Sequence, residues 1–136
     1  MTGVGLTMDG IIKAALDKGG IADITTMGRK TGTPRRKEIY FHSLDGRLYL
    51  TGKPGFRRDW LANLHAHPGF TLHLKRGVAA DLPAIATPIS DPAERAAVIF
   101  QARTESWGAD PTEARADLDF WVETSPLVRF EVAEPD

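Results

Sequence analysis

The sequence predicts a small antiparallel β-barrel with peripheral helices, an α+β fold in which strands dominate. Five to seven short apolar runs, bounded by glycine, proline or Asp-Gly turns, have the pattern of strands. Helical spacing occurs between and after these runs, as in decorated small barrels. The glycine-rich turn joins two strands and does not open into a helix, which disfavours a doubly wound nucleotide-binding fold.

The first half of the chain predicts one helix followed by three antiparallel strands. Residues Met8–Lys18 place apolar side chains at helical spacing and stop before two glycines, so they predict a short amphipathic helix. An apolar, β-branched run at 22–27 predicts a strand that enters the basic turn at 28–34. Strands at 36–44 and Arg47–Thr51 flank an Asp-Gly pair, which is a strong hairpin signal. Together the three strands predict a meander.

The middle of the chain predicts a second helix and two more strands. Residues 56–66 show helical spacing that ends before a proline. Apolar residues then alternate with polar ones over 70–74, as expected for a strand. The following run, 78–89, contains two prolines, which predicts an edge strand or a bulge because proline cannot donate to a sheet.

The last third predicts two helices and a closing strand. The Asp-Pro-Ala-Glu sequence at 91–94 has an N-cap aspartate, a proline at the first helical position and a capping-box glutamate. It predicts a helix that continues over 96–107. A second Asp-Pro pair opens helical residues at about 110–121, and Leu127–Val132 alternates as a strand.

Length and composition limit the classes of protein that are possible. The 136 residues, 42% hydrophobic and 26% charged, suit a single domain over 1–136, with the barrel and its helices at about 22–132. No integral membrane segment and no secretion signal are recognisable, so a cytoplasmic protein is expected. The absence of cysteine excludes disulfides, thiol nucleophiles and iron–sulfur clusters. Redox chemistry would therefore need a bound cofactor.

Charge is distributed unevenly along the chain. Residues 28–77 contain eleven arginines and lysines against three acidic residues, a net charge of +8, whereas residues 81–136 carry −8. This segregation predicts a local positive field for an anionic ligand, although solvated faces that happen to separate remain the alternative. The net charge of the whole chain, −1, and the scarcity of aromatics among the basic loops argue against nucleic-acid binding.

Two basic stretches are candidates for the anion site. At 28–37 the sequence GRKTGTPRRK combines glycines, whose backbone N–H groups can approach an anion, with cations that neutralise it. Its spacing is not that of a phosphate-binding nucleotide loop. At 53–64, Lys53 in a loop and Arg57 and Arg58 in the expected first helical turn oppose the helix dipole, which suits a bound anion. Trp60 in this stretch also has the spacing of a core residue.

Other chemistries lack a suitable arrangement of residues. The four histidines, His42, His65, His67 and His73, have no further ligand at metal-binding spacing, so no metal site is expected. The serines lack the Gly-x-Ser-x-Gly elbow of a hydrolase nucleophile. The acidic pair in the last helical stretch is interpreted as solvated.

The motifs together resemble the deazaflavin-dependent nitroreductase family. The resemblance rests on ITTMGRKTGTPR at 24–35, IYF at 39–41, WLANL at 60–64 and FWVETSPLV at 120–128, and it spans about 22–132. It implies a split β-barrel of the FMN-binding, pyridoxamine-phosphate-oxidase-like type. It further implies that reduced coenzyme F-420, a deazaflavin, passes hydride to a small organic acceptor. Hydride chemistry then belongs to the cofactor, so no catalytic side chain is expected.

The resemblance also implies which residues form the site. Arg29, Lys30 and Arg35 would meet the phosphate and acidic tail of the cofactor, and Ile39 and Tyr40 would border its ring. Tyr40 would also face the acceptor. Trp107, which stands where nitroreductases of this family carry tyrosines, is a further candidate wall of the acceptor pocket, with core packing as the alternative. The remaining residues implied to bind the cofactor are Thr51, Gly52, Lys53, Arg57, Arg58, Trp60 and Asn63.

Several alternatives remain open at this point. FMN is the alternative cofactor, because related split barrels bind it. A non-catalytic flavin or tetrapyrrole carrier is the alternative from another class, and turnover with a quinone or nitro-aromatic acceptor separates it from an enzyme. Barrels of this kind often pair through a sheet face, so a homodimer is a further expectation.

Overall fold

The computed structural model describes residues 8–55 and 58–133. Six antiparallel strands close into a barrel in the order β1-β2-β3-β6-β5-β4, and β4 returns to pair with β1. The strands are β1 Gly20–Met27, β2 Pro34–Leu44, β3 Arg47–Thr51, β4 Gly69–Leu74, β5 Ala80–Pro88 and β6 Leu127–Val132. The helices are α1 Met8–Lys18, α2 Asp59–Ala66, α3 Pro92–Gln101, α4 Pro111–Ala116 and α5 Leu118–Thr124, with a π-helix at Ala102–Ser106 after α3.

The barrel forms because alternate residues of its strands turn inward. In β1, Ala22 and Ile24 are fully buried while their neighbours are partly exposed, as period-two patterning requires. Trp60 and Leu64 of α2 join the same core, and apolar residues of α1 pack against it. None of the described helices has the length and apolar character needed to cross a membrane. The predicted barrel with peripheral helices is thus confirmed.

The expectation of an edge strand or bulge at 78–89 is wrong. β5 pairs without interruption with both β4 and β6. Pro83 lies opposite Thr71 of β4, and its carbonyl accepts a hydrogen bond from the Ala133 amide at 2.8 Å. In an antiparallel strand the N–H and C=O of one residue point to the same neighbour, here β6 just past its end. The missing proline N–H therefore removes no hydrogen bond within the β6 ladder.

Three helix boundaries also differ from expectation. The helix expected over 56–66 begins at Asp59, because Arg58 is extended (φ −128°, ψ 123°); residues 56 and 57 lie outside the described part. The helix expected over 96–107 changes to a π-helix after Gln101. The helix expected over 110–121 divides at Asp117, whose backbone is not helical (φ −114°, ψ 19°). Its carboxylate meets Arg103 at 2.7 Å instead of capping α5.

The N-cap predicted for α3 is confirmed. The Asp91 carboxylate accepts a hydrogen bond from the Glu94 amide at 2.9 Å. We expect Asp91→Ala to lower the free energy of unfolding by about 1 kcal/mol, because one helix N–H loses its partner. Urea denaturation of this variant beside Ser90→Ala, at the exposed preceding residue, measures the loss. An equal change in both variants would contradict the capping role.

The two ends of β2 have different neighbours, and this difference positions the functional site. Residues 34–41 of β2 pair with β1, but β3 pairs only with residues 41–44. The edge of β2 that faces β3 is therefore left without a β3 partner over residues 34–40. Side chains of this segment are accessible to the surrounding loops and helices.

Candidate functional site

Two clefts lie along this open part of β2. The first, called the basic cleft, has a volume of ≈ 560 Å³. Five of its lining residues are arginines or lysines and one is acidic. Its lining consists of Thr26, Gly28, Arg29, Lys30, Thr31, Arg35, Arg36, Lys37, Asp59, Trp60 and Asn63.

The wall of the basic cleft is the hairpin loop between β1 and β2. The loop closes through hydrogen bonds from the Gly28 amide to the Thr33 carbonyl and from the Gly32 amide to the Gly28 carbonyl, both 2.8 Å. Gly32 has φ +70°, a conformation that glycine adopts without a Cβ clash. The glycines found in the sequence therefore shape a compact loop that carries the cations.

Asn63 of α2 holds this loop against the barrel. Its side chain is buried, with 2% exposed. Its Oδ1 accepts a hydrogen bond from the Arg29 amide at 3.0 Å, and its Nδ2 donates to Thr26 Oγ1 at 3.0 Å. Asn63 therefore lines the basic cleft, while its polar atoms fix the loop that carries Arg29.

The cations of the basic cleft are only partly neutralised. Arg29 lies 3.6 Å from Asp59, and Arg36 donates a hydrogen bond to Asp23 at 2.9 Å. Within residues 8–55 and 58–133, Lys30, Arg35 and Lys37 form no ion pair. A net positive field therefore remains in the cleft, and it suits a phosphate or carboxylate ligand.

The second cleft, called the aromatic cleft, has a volume of ≈ 620 Å³. Three aromatic rings follow one another along this cleft: the ring centroids of Tyr40 and Trp107 are 6.0 Å apart, and those of Trp107 and Trp121 are 6.3 Å apart. Flat apolar walls of this kind suit a planar ring ligand. Its lining consists of Lys37, Glu38, Ile39, Tyr40, Thr51, Gly52, Lys53, Arg58, Trp60, Arg103, Trp107, Ala109 and Trp121.

The floor of the aromatic cleft is built from the end of β3. Buried Thr51 donates a hydrogen bond to the Pro126 carbonyl at 2.6 Å, which ties this strand end to the segment before β6. The Arg58 guanidinium lies against Gly52, where a Cβ would come within 2.6 Å of Nη2. Burial lowers the pKa of Arg58. Glycine at position 52 thus leaves space for a cation beside the cleft.

A buried histidine stands behind the aromatic wall. His42 is 1% exposed, and its ring centroid lies 4.9 Å from that of Tyr40 and 4.7 Å from that of Trp107. Neither of its ring nitrogens has a hydrogen-bond partner in the part of the chain described here. Burial lowers the pKa of His42 to about 4, so the ring is neutral at pH 7. Among the described residues no three His, Asp or Glu side chains could together hold a metal ion.

Every described residue that the sequence assigned to the site lines one of the two clefts. The basic cleft contains Arg29, Lys30, Arg35, Trp60 and Asn63. The aromatic cleft contains Trp60 again, together with Ile39, Tyr40, Thr51, Gly52, Lys53, Arg58 and Trp107. Arg57 lies outside the described residues. The two clefts adjoin, since Lys37 and Trp60 line both.

The structure adds residues to both clefts that the site prediction did not contain. Arg36 and Lys37 directly follow Arg35 in one basic run, and this run could have indicated that they belong to the anion site. Arg103 and Trp121 come from the acidic second half of the chain. Neither residue was assigned to the site, because only the packing of the π-helix against β2 and of α5 against α3 brings them into the cleft that Tyr40 lines.

A closed antiparallel barrel carries a cationic cleft beside an aromatic one, and this pair of clefts suits a ligand with an anionic part and a planar ring. The model of the F-420H(2)-dependent quinone reductase family matches residues 6–124, and the chain belongs to this family. It is therefore an oxidoreductase that uses coenzyme F-420. The resemblance, the enzyme class and the cofactor predicted from the sequence are confirmed.

Solved structures confirm the split-barrel fold. A conserved hypothetical protein from Mycobacterium tuberculosis superposes with a TM-score of 0.71 at 16% identity, covering 96% of this chain and 83% of that one. A protein from Listeria innocua assigned as a pyridoxamine 5′-phosphate oxidase gives 0.60 at 13% identity, covering 90% and 91%. An F-420-H2 dependent reductase gives 0.55 at 18% identity, covering 82% and 94%.

Proposed function

We propose that this F-420-dependent enzyme reduces a small organic acceptor such as a quinone, an enone or a nitro compound. The observation that carries the proposal is the continuity of the two clefts through Lys37 and Trp60. An anionic group in the basic cleft and a planar ring in the aromatic cleft can belong to one bound molecule. In this proposal Trp107 and Trp121 form the walls against which the ring of the acceptor lies.

The described residues fit the cofactor that the family uses. Its phosphate and acidic tail require cations, and the basic cleft offers five against a single carboxylate. Its planar ring requires flat walls, and the aromatic cleft offers Tyr40, Trp60, Trp107 and Trp121. In this proposal Arg29, Lys30 and Arg35 hold the anionic groups, and Ile39 and Tyr40 border the ring.

When bound, reduced F-420 supplies the hydride. The protein binds and orients the cofactor and the acceptor. The basic loop holds the anionic end of the cofactor, and the aromatic walls align the two reacting rings and exclude water. In this proposal Trp107, which lines the aromatic cleft and has 37% of its surface exposed, borders the acceptor. We assign no side chain as a general acid or base.

Titration of the cofactor-free protein tests the binding assignments. We expect F-420 to quench the tryptophan fluorescence, and Lys30→Ala and Arg35→Ala to weaken binding about tenfold each at low salt. A charge-assisted hydrogen bond is worth about 1.5–3 kcal/mol, and 1.4 kcal/mol is tenfold in affinity. The loss should shrink at high salt because screening weakens the wild-type contact.

Arg47→Ala is the matched control, because Arg47 is an exposed cation of β3 that lines neither cleft. It should leave F-420 affinity unchanged. An equal loss in Arg47→Ala would show a general charge effect and contradict the basic cleft as the anion site. Tighter binding of FMN than of F-420 would favour the alternative electron donor. Binding without turnover of any quinone, enone or nitro acceptor would overturn the proposed reaction.

A further inference from the structure

Arg103 is a cation buried at the back of the aromatic cleft. It lies on the π-helix and is 8% exposed. One nitrogen, Nη1, donates to the Ala114 carbonyl at 2.9 Å and to Asp117 Oδ1 at 2.7 Å. The guanidinium carbon stands 4.1 Å from the ring centroid of Trp121. These contacts fix the guanidinium in one orientation.

The remaining donors of Arg103 are not used within the described chain. A guanidinium has five N–H groups, and the two on Nη1 are engaged. Nε and Nη2 make no hydrogen bond within residues 8–55 and 58–133. Neither atom belongs to the fully buried unpartnered atoms of that part, so both keep access to solvent. A buried cation with three free donors is poised to bind an acceptor atom of a ligand.

The surroundings of Arg103 define the shape and charge of that ligand. Trp107 and Trp121, with ring centroids 6.3 Å apart, and Tyr40 stand in the same cleft as Arg103. Lys53 and Arg58 are further cations of this lining, in which Glu38 is the acidic residue. A flat ring that carries an electron-rich oxygen matches both properties.

We propose that Arg103 is an acceptor-binding residue whose Nε and Nη2 donate hydrogen bonds to an oxygen on a planar, ring-conjugated acceptor. The inference rests on the proposed function and names the acceptors that it favours: rings bearing a carbonyl or phenolate oxygen. When a hydride adds to a ring carbon conjugated with a carbonyl group, the π electron pair of the C=O bond moves onto the carbonyl oxygen, which then takes a proton from water. A phenolate oxygen elsewhere on the ring is bound but takes no part in the transfer. The guanidinium stabilises the negative charge that develops on the carbonyl oxygen.

Binding of three ring probes to the cofactor-free protein tests this role without turnover, because no hydride donor is present. The probes are hydroxynaphthoquinone, an anion at neutral pH, neutral naphthoquinone, and dimethylnaphthalene, which has the ring without oxygen. We expect Arg103→Lys to weaken hydroxynaphthoquinone about tenfold and naphthoquinone less, because lysine keeps the charge but loses the planar fork. Dimethylnaphthalene should bind both proteins equally. Equal losses for all three probes would overturn the proposal.

Two further variants separate binding from structural support. Asp117→Asn keeps an oxygen that can accept from Arg103 Nη1 but removes the negative charge beside it, so it should keep or tighten binding of the anionic probe. Loss of that binding in Asp117→Asn as severe as in Arg103→Lys would overturn the proposal. Arg115→Lys is the control, because Arg115 stacks on Phe100 outside the cleft, and it should change nothing. If Arg103→Lys fails to fold, Arg103→Gln replaces it: glutamine keeps an amide donor group but no charge, so it should weaken the anionic probe at least as much, and unchanged binding would overturn the proposal.

The F-420 titration distinguishes this inference from the proposed function. Arg103→Lys should weaken the oxygen-bearing probes more than F-420, because the basic cleft holds the anionic groups of the cofactor. Normal F-420 binding combined with unchanged probe binding in Arg103→Lys would refute the Arg103 assignment alone. Failure of the wild type to bind F-420 would refute the proposed function instead.

Discussion

Replacing Asn63 with leucine is expected to lower the free energy of unfolding by about 2–4 kcal/mol. The substitution leaves two groups without their partner, the Arg29 amide and Thr26 Oγ1. Each buried unsatisfied group costs about 1–3 kcal/mol. The basic loop also loses its tie to α2, so F-420 affinity should fall together with stability. Urea denaturation and the fluorescence titration measure the two effects.

Two control variants divide these effects. Thr26→Val removes one hydrogen bond but keeps that from the Arg29 amide, so it should cost stability with little loss of F-420 affinity. Asn63→Asp still accepts from Arg29 and can accept from the Thr26 hydroxyl, so it should retain more stability than Asn63→Leu. If Thr26→Val weakens F-420 binding as much as Asn63→Leu, Asn63 does not act through Arg29.

The double variant Thr26→Val/Asn63→Leu tests the hydrogen bond between these two side chains. Its loss in free energy of unfolding should be smaller than the sum of the losses of the single variants, because it removes both members of one pair.

His42 is expected to make the protein less stable as the pH falls below neutrality. In the unfolded chain its pKa is near 6.5, whereas burial lowers its pKa to about 4 in the folded protein. Between these values the unfolded state binds more protons, so the free energy of unfolding decreases as pH decreases. Above about pH 6.5 the His42 ring is neutral in both states, so its contribution to the free energy of unfolding is fully present. Over the whole window the loss is about 3 kcal/mol, at 1.36 kcal/mol for each pH unit.

His42→Leu removes this titration and should flatten the pH dependence. The measurement is the urea midpoint of wild type and variant from about pH 4.5 to 7.5, above the range where carboxylates dominate acid unfolding. His65→Gln, at an exposed position of α2, should keep the wild-type slope. An identical slope in wild type and His42→Leu would mean that the folded protein protonates His42 as readily as the unfolded chain does.

Local signals predicted most elements of the fold. Met8–Lys18 and Leu127–Val132 form a helix and a strand with the expected bounds. The cap at Asp91 depends only on the next three residues, and it forms as predicted. Errors occurred where a distant partner decides the outcome: β5 is not an edge because β6, 40 to 48 residues away in sequence, pairs with residues 84–88 of β5. Asp117 interrupts a helical segment because its carboxylate binds Arg103.

The candidate site also combines features that the sequence predicted with features that only long-range packing decides. The sequence by itself determined the basic loop between β1 and β2, because its glycines and cations are contiguous and a hairpin keeps neighbours together. It also offered Tyr40 and Trp107 as candidates for the acceptor pocket, and both line the aromatic cleft. Only the tertiary structure decided that Arg103 and Trp121 stand beside Tyr40, and that His42 is sealed behind that wall. Closure of the barrel and packing of the π-helix create these contacts, and long-range packing leaves no periodic trace in a single sequence.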